Sequence, residues 1–291
     1  MADNQVVAGT DGSDQSLRAV EWAAAEAALR GAALEIVSVP VLPPRMSWQR
    51  PAPHRPDTVA DTIRESSEKA LAVAAARAAT VQPGLAVSTA LLSGQPAHAL
   101  CEAAAGAAML VVGSRGAGGF AALILGSVGR YVATQAAVPV VVVREETVAV
   151  HHEIVVGIRD LDQPAAVAFA FEEAARRDAR LRAVHAWQWF LPEMRLTGTE
   201  RPGADARDVT AEAAEWLADL LTFWRQKYPG VQVIEDVVHA HPGRVLAGAS
   251  ARADLVVLGH RHGDDTEHAG TGTVLHAALN HAHGPVAVIP E

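Results

Sequence analysis

Most of this 291-residue chain is written twice. Gln5-Val-Val-Ala-Gly9 returns as Glu153-Ile-Val-Val-Gly157, and Leu110-Val-Val-Gly113 returns inside Leu255-Val-Val-Leu-Gly259. Pro139-Val-Val-Val-Val143 returns as Pro285-Val-Ala-Val-Ile289. The offset is 148 residues at the first strand and 146 at the last two. A register held that long predicts two tandem copies of one domain, over 1–147 and 152–291. Each is long enough to fold around its own core. The charged, histidine-bearing stretch Glu145–Glu153 reads as the linker.

Within each copy, short apolar runs alternate with helical patterns. In the first, strands are predicted at 5–9, 34–39, 85–92, 109–113 and 139–143. A helix is predicted to start near Asp14, with Ser13 as its N-cap and Gly31 as its stop. Further helices are predicted over 58–80, through Ala105 and over 128–136. Pro40–Pro56 holds six prolines and reads as a surface loop. The second copy repeats the plan, with strands at 181–187 and 231–238 and a long helix over 205–227. Short apolar runs ending in glycine suit buried strands of a parallel sheet. The fold class is therefore α/β: two tandem, doubly wound, five-stranded parallel-sheet domains of Rossmann-like type.

In such a sheet, ligands sit beyond the carboxyl ends of the strands, where strand order reverses. Three stretches of the first copy reach that edge: Gly9-Thr10-Asp11, Val39, and the loop from Gly113 to Val128. The loop carries Gly113, then Gly116, then Gly126-Ser127 after nine intervening residues. Glycines let a backbone approach a phosphate, and the N–H groups of a helix start point at it. The Ser127 hydroxyl and the amides of Ser127 and Val128 are candidate phosphate donors. Asp11 suits a ribose hydroxyl, a base edge or Mg²⁺, and the Val39 backbone suits an adenine edge. Each has a plainer reading: Asp-Gly is turn chemistry, Val39 is a strand end, and Arg115 is a solvated loop side chain.

The pattern Gly113-x2-Gly116-x9-Gly126-Ser127 resembles the ATP-binding signature of the universal stress protein family. Val6-Val-Ala-Gly-Thr-Asp-Gly-Ser13 is similar to that family's first strand and turn. The likeness covers nearly the whole chain, twice, as in tandem members. It implies an adenine-nucleotide α-hydrolase-like fold and ATP as ligand, with or without Mg²⁺. By position it implies Gly9, Asp11 and Val39 at the nucleoside end, and Gly113, Gly116, Gly126, Ser127 and Val128 at the phosphates. It also implies pairing along the fifth strands, as an intramolecular pseudo-dimer of the two domains or a homodimer, and a regulatory role in the stress response toward an unidentified protein partner.

The second copy departs from the pattern. Arg159 stands where Asp11 stood, with Asp160 next to it, and His262 answers Gly116. Gly259, Gly272, Thr273 and Val274 stay in step. Net charge is -2 up to Thr147 and -7 after it. The expectation is a degenerate second site with weak or absent nucleotide binding.

Other features exclude more than they assign. A net charge of -9 disfavours a grip on nucleic acid. No apolar run approaches the ~20 residues of a membrane span. The polar start lacks a secretory pattern, and the single Cys101 forbids an internal disulfide. These point to a cytoplasmic protein, with Cys101 as packing on an alanine-rich helix face. Eight of thirteen histidines lie from His239 onward, in pairs such as His239/His241, His260/His262 and His281/His283. No cysteine or tight carboxylate set joins them, so no metal site is assigned. Trp187 and Trp189 read as core or interface. The lysine-bearing loop of NTPases is missing, as is a Gly-x-Ser-x-Gly elbow. No catalytic residue is assigned. An ATP-binding regulator is expected, with a slow ATPase or self-phosphorylating protein using Ser127 or Ser13, and a nucleotide-free scaffold, as alternatives. Gly113→Ala and Gly126→Ala are each expected to abolish ATP binding and leave the fold intact.

Overall fold

In the computed structural model, residues 4–41, 58–116, 125–144, 150–160, 163–188, 206–261 and 271–291 are described. The chain divides into two compact units, Met1–Glu145 and Glu146–Glu291.

The first unit runs β1 (Gln5–Gly9), α1 (Asp14–Arg30), β2 (Ala33–Ser38), α2 (Thr58–Val81), β3 (Val87–Leu91), α3 (Pro96–Ala103), β4 (Met109–Gly113), α4 (Ser127–Gln135) and β5 (Val140–Val143). The strands lie in the order β3-β2-β1-β4-β5, all parallel. The second unit runs β6 (Glu153–Gly157), α5 (Pro164–Arg176), β7 (Arg180–Trp187), α6 (Ala206–Lys227), β8 (Val233–His239), α7 (Pro242–Ala249), β9 (Leu255–His260), α8 (Thr271–His281) and β10 (Val286–Pro290). Its order is β8-β7-β6-β9-β10, again parallel. Strand order reverses beside β1 and β6, so each unit has a crevice where β1 parts from β4, or β6 from β9.

The central strands are buried on both faces, as a parallel sheet covered by helices requires. Val6, Val7, Leu110, Val111, Ile154, Val155, Leu255 and Val257 are all closed to solvent. Helix α1 shows how local sequence makes an element. The Ser13 hydroxyl accepts from the Ser16 N–H at its start. Gly31 ends it at φ 64°, a left-handed turn that glycine adopts without strain. Leu17, Val20, Ala23, Ala24 and Ala27 form the buried face between those signals.

Element ends moved slightly from the sequence reading. β3 starts at Val87, because the Leu85 N–H closes a turn onto the Gln82 carbonyl at 3.2 Å. α4 starts at Ser127, with Gly126 as N-cap. The Pro40–Pro56 loop and the tip of the glycine loop lie largely outside the described residues.

The first strands also anchor the units differently. Gln5 donates to Glu35 Oε2 at 3.0 Å. Its counterpart Glu153 is buried and holds Arg182 at 2.9 Å and Arg180 beside it. Burial pushes the Glu153 carboxyl up. Hydrogen bonds and charge from Arg182 and Arg180 outweigh that and hold it below the usual carboxylate range.

Candidate functional site

At the carboxyl end of β1 the chain turns through Thr10-Asp11-Gly12-Ser13. Thr10 N–H still bonds to the Val37 carbonyl at 2.9 Å, so the β1 and β2 ends stay in register. Val39 lies two residues past that point and half-buried. The turn is knotted by side chains. Thr10 Oγ1 and Ser16 Oγ are 3.0 Å apart, and the Asp11 N–H donates to Ser16 Oγ at 3.3 Å. Asp11 Oδ1 accepts from the Ser13 N–H at 3.0 Å and the Ser13 hydroxyl at 2.6 Å. Asp11 thus helps to shape the turn. Its other oxygen, Oδ2, lies against Gly116, where a Cβ would collide with it. Sequence places those two residues 105 positions apart; the fold puts them in contact.

The loop after β4 is held in the same way. Ser114 N–H bonds to the Val143 carbonyl at 2.8 Å, and Gly126 N–H closes the loop onto the Ser114 carbonyl at 2.8 Å. Helix α4 then starts, and the Arg130 N–H is the donor to the Gly126 carbonyl. The amides of Ser127 and Val128 precede that first helical bond, so the helix itself supplies them no acceptor. Ser127 is exposed. Gly126, Ser127 and Val128 therefore stand beside Ser114, at the edge that holds Asp11 and Gly116. Arg115, expected in solvent, is half-buried.

The two loop glycines have different physical roles. A Cβ on Gly113 would stand 2.9 Å from the carbonyl carbon and oxygen of Gln15 and 3.0 Å from the Ser16 nitrogen. Gly113 is there so that α1 can lie close on β4. This corrects the expectation that Gly113→Ala would leave the fold intact: the methyl group meets backbone that cannot swing aside. A Cβ on Gly126 would find its nearest atoms at 3.6 and 3.8 Å, ordinary contact distances. Packing does not require that glycine. Gly9 faces the Leu100 side chain at 3.0 Å and is a packing position too.

The second unit keeps the frame and changes the contents. Ile158 N–H bonds to the Val184 carbonyl at 2.8 Å, repeating Thr10 and Val37, but with no hydroxyl. Arg159 pairs with Asp160 at 2.7 Å, and Arg261 approaches Asp160 at 3.8 Å. Gln163 Oε1 accepts from the Arg159 N–H at 2.8 Å. The Glu291 carboxylate accepts from the amides of Ala165 and Ala166, at 3.1 and 2.9 Å, at the start of α5. A cavity of about 90 Å³ opens among Ile158, Val184, Ala186, Leu246, Leu258 and Val274. His262 lies outside the described residues, as does the side chain of Thr273.

The family model described as universal stress protein matches twice, over residues 4–144 and 151–290. The chain belongs to the universal stress protein family. It is 35% identical to a universal stress protein of Mycobacterium tuberculosis strain H37Rv, over 97% of this chain and 96% of that one. It is 33% identical to one of Mycolicibacterium smegmatis, over 98% and 96%. A crystal structure of a universal stress protein from Archaeoglobus fulgidus shares the fold, with a TM-score of 0.73 and 17% identity over 100% of this chain and 99% of its own. This universal stress protein is thus a tandem of two family domains.

Several features outside the glycine loop were not singled out from sequence. Thr10 and Ser16 organise the first turn, and their hydroxyls gave no signal in a stretch rich in small polar residues. Glu291 reaches helix α5 from 125 residues away, which no local pattern reveals. Ile158 in place of Thr10, which removes that hydroxyl from the second turn, was not singled out either. Trp187 stacks on His239 with centroids 4.2 Å apart. Trp189 lies outside the described residues. Burial, helped by Glu102, pushes the Cys101 thiol up and keeps it protonated. No group of three metal-ligating side chains occurs among the described residues. No helix among them is long and apolar enough to cross a membrane.

Proposed function

We propose that the first unit of this universal stress protein binds ATP and that the bound nucleotide regulates the protein, without fast turnover. The observation that carries this is the meeting of Asp11, Gly116 and the start of α4 at the carboxyl edge of β1 and β4. The residues present fit a triphosphate. Gly116 keeps its Cα bare beneath Asp11, Gly126 leaves room at the helix start, and the Ser127 and Val128 amides and the Ser127 hydroxyl are donors for phosphate oxygens. Asp11 and the Val39 backbone serve the nucleoside end. The Asp11 charge is shared with two Ser13 donors, which tempers its repulsion of a phosphate tail. Gly9 and Gly113 support the site by letting Leu100 and α1 pack close.

The sequence around the loop has no P-loop lysine to offset charge on a leaving phosphate. This favours a bound, slowly exchanging nucleotide over rapid hydrolysis. The Glu291 carboxylate on the α5 amides and the Arg159–Asp160 pair make the second unit a poor host for a polyphosphate.

Calorimetry on the full chain tests this reading. The expected stoichiometry is one ATP per chain, with at least a tenfold loss of affinity in Gly126→Ala. Two ATP per chain would overturn the assignment to the first unit alone, and none would leave the scaffold reading. Phosphate release over one hour should stay below a few turnovers; sustained release would select the slow ATPase instead.

A further inference from the structure

The second unit also hollows out at the opposite edge of its sheet, where α5 ends before β7 and α6 turns back toward β8. An open cavity of about 280 Å³ lies there. Ala174, Ala175, Ala179 and Val231 wall it, and Asp178, Lys227 and Tyr228 line its lips. Backbone bonds identify the counterparts in the first unit. Asp178 N–H bonds to the Ala175 carbonyl and Ala179 N–H to the Ala174 carbonyl, as Gly31 and Ala32 bond to Ala28 and Ala27. Val231 N–H bonds to the Tyr228 carbonyl as Leu85 N–H bonds to that of Gln82. The alanines are therefore common to both units. The lips are not: Asp178 answers Gly31, Lys227 answers Val81 and Tyr228 answers Gln82.

Asp178 is held at φ 50°. Gly31 enters that left-handed region freely, at 64°, and residues with a side chain enter it at a cost. Strain kept where the other unit has glycine points to a use for the carboxylate. That carboxylate has no ion-pair or hydrogen-bond partner among the described residues. The adjacent Arg176 and Arg177 pair with the buried Glu173 instead. Lys227 has no ion-pair partner among the described residues either, and its Nζ stands 5.2 Å from the ring centroids of both Trp224 and Tyr228. The Tyr228 ring stacks on the fully buried Phe171 with centroids 5.6 Å apart, which fixes this lip to α5.

Opposite charges thus border one cavity without meeting each other. The carboxyl end of α5 adds its partial negative charge beside Asp178. A simple anion would be repelled there, and a simple cation would be repelled at Lys227. A ligand carrying both signs is matched to both lips. The alanine and valine walls suit an aliphatic body. The volume falls just under the ~300 Å³ at which drug-sized pockets begin, so that body is short. We propose that this cavity binds a small zwitterion, an ammonium and a carboxylate on a short aliphatic body, as in a free aliphatic amino acid. Asp178 takes the ammonium and Lys227 the carboxylate. The site lies in the second unit and does not depend on a nucleotide in the first.

The test uses the full chain with methyl-labelled alanine and valine, titrated with L-valine and followed by NMR. Saturable shifts are expected at the Ala175, Ala179 and Val231 methyls. Isobutylamine, which lacks the carboxylate, and isovalerate, which lacks the ammonium, should each bind at least tenfold more weakly. Asp178→Asn removes the charge and keeps a residue that tolerates the left-handed turn, and Asp178→Gly restores the residue of the first unit. Both should melt at or above the parent temperature and weaken L-valine binding at least tenfold. Lys227→Met should weaken L-valine and leave isobutylamine no weaker than before. No saturable shift with L-valine, shifts confined to other methyls, either analogue binding as well as L-valine, or undiminished binding in Asp178→Asn would overturn the proposal. Should a variant melt lower than the parent, the two analogues on the parent chain decide.

Discussion

The strands of the two units of this universal stress protein end in the same frame and offer different chemistry. At the end of β1, Thr10, Ser13 and Ser16 hydroxyls hold Asp11 against Gly116. At the end of β6, an ion pair, a glutamine and a distant carboxylate hold an apolar opening. The backbone bond from Thr10 to Val37 and the one from Ile158 to Val184 differ by only 0.1 Å, at 2.9 and 2.8 Å. Duplication therefore preserved what the sheet needs and released what the ligand needs. Strand register depends on buried backbone hydrogen bonds and tolerates little change. Side chains beyond the last ladder bond carry no such duty.

The sharpest way to break this comparison is at the first residue of each sheet pair. Glu153→Ala should leave Arg180 and Arg182 without their buried partner. Since both arginines reach solvent, the expected loss is about 2 kcal/mol rather than the larger figure for a closed pair, read by urea unfolding. Gln5→Ala removes a neutral bond and should cost under about 1 kcal/mol. Equal losses would mean that the ion pairs add nothing.

The glycines give the next largest difference. Gly113→Ala should destabilise the first unit by about 1–3 kcal/mol, because its methyl group meets the Gln15 backbone. Gly259→Ala meets the ends of the Gln163 and Glu291 side chains, at 2.7 and 2.9 Å, which can move. Its cost should be under about 1 kcal/mol. A reversed order in thermal melts would contradict the packing argument. Gly126→Ala should change stability by a few tenths of a kcal/mol at most, so any lost ATP affinity would belong to the ligand.

Acidity separates the units last. The Glu153 carboxyl sits below its ordinary range in the folded state, so its contribution is present above the unfolded pKa. That contribution disappears as pH falls through the folded value. In acid titrations the stability gap between the parent chain and Glu153→Gln should close below the usual carboxylate range, while Gln5→Ala should keep its gap at all pH values. A pH-independent gap for Glu153→Gln would remove the ion pairs from the account.

Much of this was readable from the chain. Ser13 and Gly31 bound α1 in the sequence and in the structure, because caps are local chemistry. The duplicated strand runs marked the parallel strands of both units, because burial on both faces writes itself as apolar runs. The purpose of Gly113 was not readable. Its neighbour is the Gln15 backbone, 98 residues away, and a glycine serving a ligand looks the same in sequence as one serving a helix.

The amino-acid sequence by itself determined the repeat, the parallel α/β plan, the glycine loop and the drift of Arg159 from its counterpart. Those are statements about residue type and spacing along one dimension. Only the tertiary structure decided that Asp11 rests on Gly116, that Gly113 belongs to packing and Gly126 does not, and that Glu291 caps α5. Each joins residues far apart in the chain, and such contacts are fixed by how sheet and helices close on one another, which no local pattern encodes.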